Sequence, residues 1–466
     1  MKQDMKYRFV AMRMNCRNLL ASIVILLGVV FPATRSFAEP EYSFRPLTFL
    51  GNAAPGGGVF AGDFEPFGLN DRSEAVFVAD LSPAAGEGIF LARQGQLSQI
   101  VRVGQAAPGG GTFAFVDLGR TALNANGDVS FAFALEPFSF PLGINSGVYR
   151  FSQNANTVTP VLVPGVTPVP GGGTFAGTFV NTSINNRADI VFTGMVPATI
   201  GPGASIGLGM GLFQADKKDH ITKVVGPGDP APGGNTFDYA TNGWINNRGD
   251  IAFGAHVKED ACLDLGQTLP AFIFCAESVY VKDAATGKTK SIAHQGAPAP
   301  GGGIYRLAFG PVLNNQGEIA FIGDLTPAPG FGENLAVFLH KRGNTVPVAR
   351  PGDSLPGGGN LLRASFFVLD YHLNNRGEVA FSGVLDTSSD NVNNDTGLYV
   401  FSHGSLRLVA RTGTVIPNVG KIARLGSPNF PLPLSGAANN DRGQVFFHAT
   451  LTDGKTVLLL ATPSND

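Results

Sequence analysis

Residues 351–360 read PGDSLPGGGN and residues 373–385 read LNNRGEVAFSGVL, and together they contain the repeating unit of the chain. The fourth copy reads PGDPAPGGNTF at 227–237 and INNRGDIAFGAHV at 245–257. Seven copies occur, 53 to 68 residues apart, and each has an anchor proline, which in the first six precedes a glycine-rich run: Pro55, Pro108, Pro170, Pro232, Pro300, Pro356 and Pro417. A regular period of this length predicts an architecture of repeated structural units.

Each unit divides into four predicted strands, as the sixth copy shows. An apolar run at 362–369 leads to the turn Asn374-Asn375-Arg376-Gly377, and further strands follow at 378–385, 397–401 and 406–411. Asn and Gly are the residues that tight hairpins require. The second strand is apolar on both faces, which is typical of a sheet packed between other sheets. The pattern predicts an all-β fold of four-stranded antiparallel blades in a β-propeller, since β-helix coils repeat over far fewer residues.

The two ends of the chain predict how the ring closes. The seventh unit has its turn at 439–443 and its third strand at 457–461, and then ends one strand short. Residues 45–51, RPLTFLG, directly precede the first glycine-rich loop, where a fourth strand belongs. We therefore expect seven blades, with the N-terminal strand completing the last one and leaving no exposed edge between first and last units.

The N-terminal segment has the pattern of a signal peptide. Five basic residues (Lys2, Lys6, Arg8, Arg13 and Arg17) precede an apolar stretch at 19–31, and small residues follow at 36–38. This order predicts cleavage after Ala38. An uncleaved anchor is the alternative, but the stretch is shorter than the roughly 20 residues of a spanning helix. The predicted organisation is a signal peptide at 1–38 and a single propeller domain at 39–466, in a secreted or periplasmic protein.

Charge and cysteine content restrict the partners of the mature chain. Without residues 1–38 it carries 27 Lys and Arg against 34 Asp and Glu, a net charge of about −7. This balance argues against nucleic-acid binding, which depends on clustered basic residues. No second segment is apolar enough to span a membrane, and a monomer is expected. Cys262 and Cys275 lie in the longest insertion, and in an oxidising compartment they predict a disulfide.

The loops between second and third strands are the predicted binding site, because they vary most among the copies. The loop has four residues in the last copy and twenty, 258–277, in the fourth. In an up-and-down blade these loops emerge on the same face as the glycine-rich connections, and variable loops on a rigid scaffold commonly bind ligands. Tolerated surface insertion is the alternative. The candidate binding residues are Lys258, Glu259, Asp260, Asp264 and Glu333.

Motifs for metal binding and catalysis are sparse. The oxygen-rich segment 390–397 offers Asp390, Asn393 and Asp395 as a weak Ca²⁺ site, although it lacks the full register of a calcium loop. No catalytic signature for a nucleophilic or zinc hydrolase is present, and no cofactor is predicted. The repeated Asn and Arg residues of the turns are explained by hairpin chemistry.

The recurrent GDxAPGGG and LNNRGxVAF blocks resemble a repeat of secreted bacterial β-propeller proteins of uncharacterised function. The resemblance covers residues 45–461 and brings no catalytic residues with it. The favoured function is a non-catalytic exported scaffold that binds a glycan, peptide or surface partner through its insertion loops. The alternative is a hydrolase or lyase acting on an extracellular polymer, with acidic residues near the axial funnel. Paired carboxylates there would favour the enzyme.

Overall fold

A computed structural model describes residues 42–83, 86–116, 121–137, 145–197, 208–258, 260, 277–327, 332–365, 370–388, 395–426 and 436–464. The regular secondary structure of these residues is β-strand throughout. The strands of the first half of the chain are β1 (Tyr42–Phe49), β2 (Val59–Leu69), β3 (Ala75–Ser82), β4 (Gly86–Arg93), β5 (Gln96–Arg102), β6 (Phe113–Val116), β7 (Ala122–Leu123), β8 (Val129–Leu135), β9 (Ser146–Ser152), β10 (Thr157–Leu162), β11 (Gly177–Ile184), β12 (Ile190–Pro197), β13 (Leu208–Ala215) and β14 (Ile221–Val225).

The strands of the second half of the chain follow one another in the same order within each unit. In the sixth and seventh units the first strand is divided into two segments. The strands are β15 (Phe237–Ile245), β16 (Ile251–Val257), β17 (Ser278–Lys282), β18 (Thr289–Ala293), β19 (Ile304–Leu313), β20 (Ile319–Thr326), β21 (Leu335–Lys341), β22 (Asn344–Ala349), β23 (Leu361–Ala364), β24 (Tyr371–Leu373), β25 (Val379–Leu385), β26 (Thr396–Ser402), β27 (Ser405–Arg411), β28 (Val415–Ile416), β29 (Gly420–Leu425), β30 (Ala438–Asn439), β31 (Val445–Leu451) and β32 (Thr456–Pro463).

Seven antiparallel sheets form seven blades, as the repeats predict. Blade 1 is β2-β3-β4-β5, and blades 3, 4 and 5 have the same simple order. In blades 2 and 6 two short segments share the place of the first strand, β6 with β7 and β23 with β24. The first strands of successive blades contact one another all the way round, from β2 through β7, β11, β15, β19, β24 and β30 back to β2. The first strands therefore line the axis of a closed ring.

The N-terminal strand completes blade 7, which confirms the predicted closure. β1 pairs antiparallel with β32 from Tyr42 opposite Pro463 to Phe49 opposite Val457. Tyr42 is buried among the core residues of blades 6 and 7. The order of this sheet is β28-β29-β31-β32-β1, so the last blade takes its outer strand from the start of the domain and its other strands from the end.

The core repeats from blade to blade because each blade has an aromatic residue at the same place in its second strand. In five blades this residue stacks on its partner in the third strand, as Phe77 does on Phe90 at 5.6 Å and Phe253 on Tyr280 at 5.7 Å. The second strands β8, β16, β25 and β31 are buried along their whole length. Both faces of a blade are thus packed against neighbouring blades, and this burial is the main stabilisation of the ring.

The first Asn of each turn links its blade to the next one. Its side-chain amide donates a hydrogen bond of 2.8–3.2 Å to the backbone carbonyl of the corresponding Asn, and the seventh bond returns to the first blade. The Oδ1 atom of Asn374 also accepts from the backbone N–H groups of Arg376 and Glu378 within its own turn. The members of this asparagine ring are Asn70, Asn124, Asn185, Asn246, Asn314, Asn374 and Asn440.

Candidate functional site

The two ends of the axis differ in chemistry, and the end formed by the hairpin turns is structural. We call it the turn face. A cavity of about 170 Å³ there is lined by the asparagine ring and by residues from all seven blades. Trp244 of blade 4 makes an edge contact with His372 of blade 6, with ring centroids 5.8 Å apart. Since the amides of the ring bond to neighbouring turns, the axial part of this end holds the blades together and offers few free groups to a ligand.

The opposite end, the loop face, gathers the glycine-rich loops and the connections between second and third strands. The backbone N–H of Lys258, just after β16, donates to the carbonyl of Thr236, just before β15. Asp386 makes the same bond to Asn360 in blade 6. The predicted placement of the variable loops beside the glycine-rich loops is therefore confirmed for the described ends of these loops.

Charged residues break the repeat at the loop face. When the blades are aligned on their aromatic pairs, the position three residues after the second-strand Phe is charged or titratable in only three blades. The residues there are Asp80, Ala134, Met195, His256, Asp324, Val384 and Ala449. The position three residues before the third-strand partner is occupied by Glu87, Ser146, Met210, Glu277, Leu335, Thr396 and Val457. Residues that depart from a structural repeat are not required by it, so they are candidates for function.

Blade 1 has the densest group of these residues, the carboxyl cluster Asp63, Glu65, Asp80 and Glu87. A bulge in β2 between Ala61 and Phe64 turns the backbone toward β3, and the N–H of Asp63 donates to Asp80 Oδ2 at 3.1 Å. Glu87 Oε2 accepts the N–H of Val116 from blade 2 at 2.9 Å. Bulges often redirect side chains near functional sites.

The pKa values of this cluster are displaced upward. Burial, with added repulsion from Glu87, Asp63 and Asp80, raises the pKa of Glu65 to about 8. Burial likewise raises the pKa of Glu87 to about 7, against the stabilising bond from Val116 and with repulsion from Asp80. At neutral pH Glu65 is therefore protonated, whereas Glu87 titrates near neutrality. The cluster contains hydrogen-bond donors as well as acceptors.

A cavity of about 370 Å³ opens beside the cluster, between blades 1 and 2. Asp80 and Glu87 are among its lining residues, and Leu81, Val103 and Phe115 give it apolar walls. On the other side of blade 1, His448 of blade 7 is fully buried, and its Nε2 atom lies 3.2 Å from Asp63 Oδ1. A concave site with apolar walls and a few polar groups is typical of small-molecule recognition.

Blade 4 places a half-buried carboxyl, that of Glu277, at the loop face. Burial raises the pKa of Glu277, although Thr241 Oγ1 donates to its Oε1 atom at 2.6 Å. Nearby, His256 lies 3.3 Å from Asp238 Oδ2 and stacks on Tyr239 with ring centroids 5.5 Å apart. Both groups lie at the loop face, in blades 1 and 4, and we refer to them together as the polar funnel.

The predicted binding residues are divided between the described and undescribed parts of the chain. Lys258 is exposed, and Asp260 has its carboxylate 3.6 Å from His294 Nε2 while its backbone carbonyl lies 3.2 Å from His256 Nε2. Glu333 is exposed, and its charge acts on Arg363 of blade 6. Glu259, Asp264 and the predicted disulfide pair Cys262 and Cys275 lie outside the described residues.

The candidate calcium residues are placed only in part. Asp390 and Asn393 lie outside the described residues, whereas Asp395 is paired with Arg411, whose Nη2 atom is 3.0 Å from its Oδ2. Thr387 Oγ1 also donates to that oxygen. In the described ranges, no three His, Cys, Asp or Glu side chains are grouped so that they could hold a metal ion.

Glu65→Gln is expected to change the pH dependence of stability. The pKa of Glu65 lies above its ordinary value of 4.5 when folded, so the folded state binds more protons than the unfolded state between pH 4.5 and 8. The contribution of Glu65 to the free energy of unfolding is fully present below pH 4.5 and is lost as the pH rises through about 8. Glutamine carries no charge and avoids this loss. The variant should match the parent at pH 4.5 and be more stable at pH 9 by at least about 1.4 kcal/mol, one pKa unit.

Urea unfolding of both proteins across this pH range measures the effect. Glu333→Gln, at an exposed loop position, is the control and should leave the curve unchanged. Parallel curves for the parent and Glu65→Gln would contradict a buried, protonated Glu65.

Several solved structures are similar to this chain over most of its length but at low sequence identity. An oligogalacturonate lyase in complex with manganese is similar with a TM-score of 0.49 and 13% identity, covering 91% of this chain and 99% of that one. Polysaccharide lyase Uly1 is similar with a TM-score of 0.42 and 8% identity, covering 89% and 92% of the two chains. Trypanosoma rangeli sialidase gives a TM-score of 0.41 and 9% identity, covering 91% and 60%. At these TM-scores and identities we draw no conclusion about this chain from the three structures.

Two further comparisons concern the sequence and the membrane. A search of curated proteins found no significant match. Within the described ranges, no helix has the length and apolar character needed to cross a membrane. The profile of DUF7453, a family of unknown function, matches residues 43–460, which is almost the entire propeller. The chain therefore belongs to the family of unknown function DUF7453.

Proposed function

We propose that the protein is an exported β-propeller that binds a glycan in the polar funnel of its loop face without cleaving it. The observation that carries this proposal is the unequal distribution of repeat-breaking residues. At the axis the turn face is occupied by bonds that recur in every blade, whereas half-buried carboxyls of blades 1 and 4 lie at the loop face. A repeat protein binds where its repeats differ, because the common residues are already used by the scaffold.

The chemistry of the carboxyl cluster favours a ligand rich in hydroxyl groups. A sugar hydroxyl both donates and accepts hydrogen bonds, and the cluster offers a protonated Glu65 beside three other carboxyl groups. Burial, together with repulsion from Glu87, Asp63 and Asp80, raises the pKa of Glu65. A polymer of uronic acids would add further negative charge, so a neutral or amine-bearing glycan is the preferred class.

A second function, glycan cleavage, is supported by one specific observation. Glu65 and Glu87 have pKa values near 8 and 7, which suit a general acid at neutral pH. Enzymes that cleave glycosidic bonds commonly pair such an acid with an ionised carboxylate. Asp63 and Asp80 are the other two residues of the same carboxyl cluster. Binding and cleavage would use the same site. They differ in the role of Glu65, which donates a hydrogen bond in binding and a proton in cleavage.

Glu65→Gln and Glu65→Ala separate the two functions. The probes are laminarin, a neutral glucan, soluble chitosan, which bears amines, and polygalacturonate, which bears carboxylates. Calorimetry measures binding and a reducing-end assay measures cleavage. For a binding protein, Gln replaces the protonated carboxyl and keeps affinity for laminarin or chitosan within about threefold, while Ala weakens it about tenfold, the equivalent of one lost hydrogen bond.

For an enzyme, Glu65→Gln would retain binding but reduce turnover at least 100-fold, since Gln cannot donate a proton. Lys290→Met, on the exposed outer strand of blade 4, is the control for both assays. Preferred binding of polygalacturonate, or equal affinity of the parent and Glu65→Ala for all probes, would contradict the proposed site.

A further inference from the structure

A groove on the turn face, between blades 3 and 4, is lined by four positively charged side chains. Its volume is about 290 Å³, and the four residues are Arg187, Lys223, Arg248 and Lys282. Asp283 is the one acidic residue among the described lining residues. The groove lies at the opposite end of the blades from the polar funnel, so it is independent of the proposed glycan site.

The two lysines of the groove do not belong to the repeat. Lys282 stands two residues after the third-strand aromatic, where the other blades have Ala92, Phe151, Ala215, His340, Phe401 and Thr462. Lys223 lies opposite Phe213, a position that is neutral in five of the other six blades and is Arg45 in blade 7. The fold therefore does not require a charge at either position, yet both charges meet in one groove.

Lys282 is held across the boundary between the two blades. Its ammonium group donates to the backbone carbonyl of Val224 in blade 3, and an ammonium has two further N–H donors. Burial lowers the pKa of Lys282, and the charge of Lys223 lowers it further while Asp229 opposes this effect. An anion in the groove would relieve the repulsion between the two lysines.

The carboxylates that pair with the arginines lie beneath them. Asp250 is 8% exposed, whereas the Arg248 side chain is 54% exposed. The Nε and Nη2 atoms of Arg248 both bond to a single oxygen, Asp250 Oδ2. Lys223 is bound to Asp229 Oδ1 at 2.8 Å. The positive groups thus form the outer surface of the groove, and the negative groups of the arginine pairs form its base.

We propose that this groove binds a tetrahedral oxyanion, a sulfate or phosphate group, between Lys223, Lys282 and Arg187, whose guanidinium lies beside Gly249 and Ala284 of blade 4. A flexible ammonium group and a planar guanidinium are the usual ligands of such anions. The fold shields the lysines partly from water, which strengthens the attraction relative to the fully exposed surface.

The test is calorimetric titration of the full mature chain with inorganic sulfate and inorganic phosphate at constant ionic strength, with chloride and acetate as reference anions. Sulfate or phosphate should bind with a measurable heat that neither reference anion produces. Lys282→Met and Lys223→Met should each weaken that binding at least fivefold. Lys290→Met, which removes an exposed lysine of the same blade outside the groove, should leave it unchanged.

Because Lys282 also joins blades 3 and 4, Lys223→Met and Lys282→Arg keep the test independent of folding. Lys282→Arg should retain most of the affinity, since the charge remains. Preference for sulfate over phosphate would identify a sulfate ester as the better ligand, and the reverse would identify a phosphate ester. Equal affinity in the parent and Lys223→Met, or no difference between sulfate, phosphate and chloride, would overturn the proposal.

Discussion

Deleting residues 41–50 should lower the free energy of unfolding by on the order of 5 kcal/mol, or prevent folding altogether. The deletion removes β1, which buries Tyr42 and Thr48 and packs Phe44 and Phe49 against the blade-7 core. It also leaves β32 as an unpaired edge, which invites association with other chains. Chemical denaturation followed by fluorescence measures the loss, and size-exclusion chromatography detects association.

The control for this deletion is the chain that begins at residue 39 and therefore retains β1. A synthetic peptide of residues 41–50 should restore part of the lost stability, because the pairing of β1 with β32 needs no covalent link. If the deleted chain unfolded at the same denaturant concentration as the control, closure by the N-terminal strand would not stabilise the ring.

Asn374→Ala should cost about 3 kcal/mol, an unusually large effect for a polar residue in a turn. Its amide donates to Asn440 O at 2.8 Å and to Glu378 Oε2 at 2.7 Å, and its Oδ1 accepts two backbone N–H groups. Three of these four bonds are buried and the one from Arg376 N–H is partly buried, so the substitution leaves several polar groups without partners. Thermal and urea unfolding measure the change.

Asn344→Ala is the matched control, because Asn344 lies in an exposed turn and begins β22. It should change stability by less than about 0.5 kcal/mol. Equal effects of the two substitutions would show that the asparagine ring contributes no more than an ordinary turn residue.

The number of blades and their closure could be predicted from the sequence because both depend on local patterns. Each turn begins with Asn, and five of the seven have Gly three residues later, such as Gly377 with a φ of 75°; Ser73 and Ala188 take this place in blades 1 and 3, with φ values of 60° and 64°. The inter-blade role of Asn374 could not be predicted, since its partner Asn440 lies 66 residues away and is reached only because the blades fan around one axis. Hairpin chemistry already accounted for Asn374 within its own turn. Its sequence context therefore gave no reason to expect the second role, the bond to the neighbouring blade.

The carboxyl cluster was missed for a different reason. Sequence reasoning placed function on the long insertions, whereas Asp63 and Glu65 lie within the first strand of blade 1. Whether they meet Asp80 depends on the bulge between Ala61 and Phe64, which has no clear sequence signature. The available signal was the presence of two acidic residues, Asp63 and Glu65, within one predicted strand.

A glycan array is the most direct test of the central claim that function lies at the loop face. The array should be probed with the parent, with Glu65→Ala/Glu87→Ala at the loop face, and with Lys282→Met at the turn face. The parent should bind at least one neutral or amine-bearing glycan, the loop-face variant should lose that signal, and the turn-face variant should keep it. Absence of any glycan signal from the parent, or its loss in Lys282→Met alone, would contradict the account.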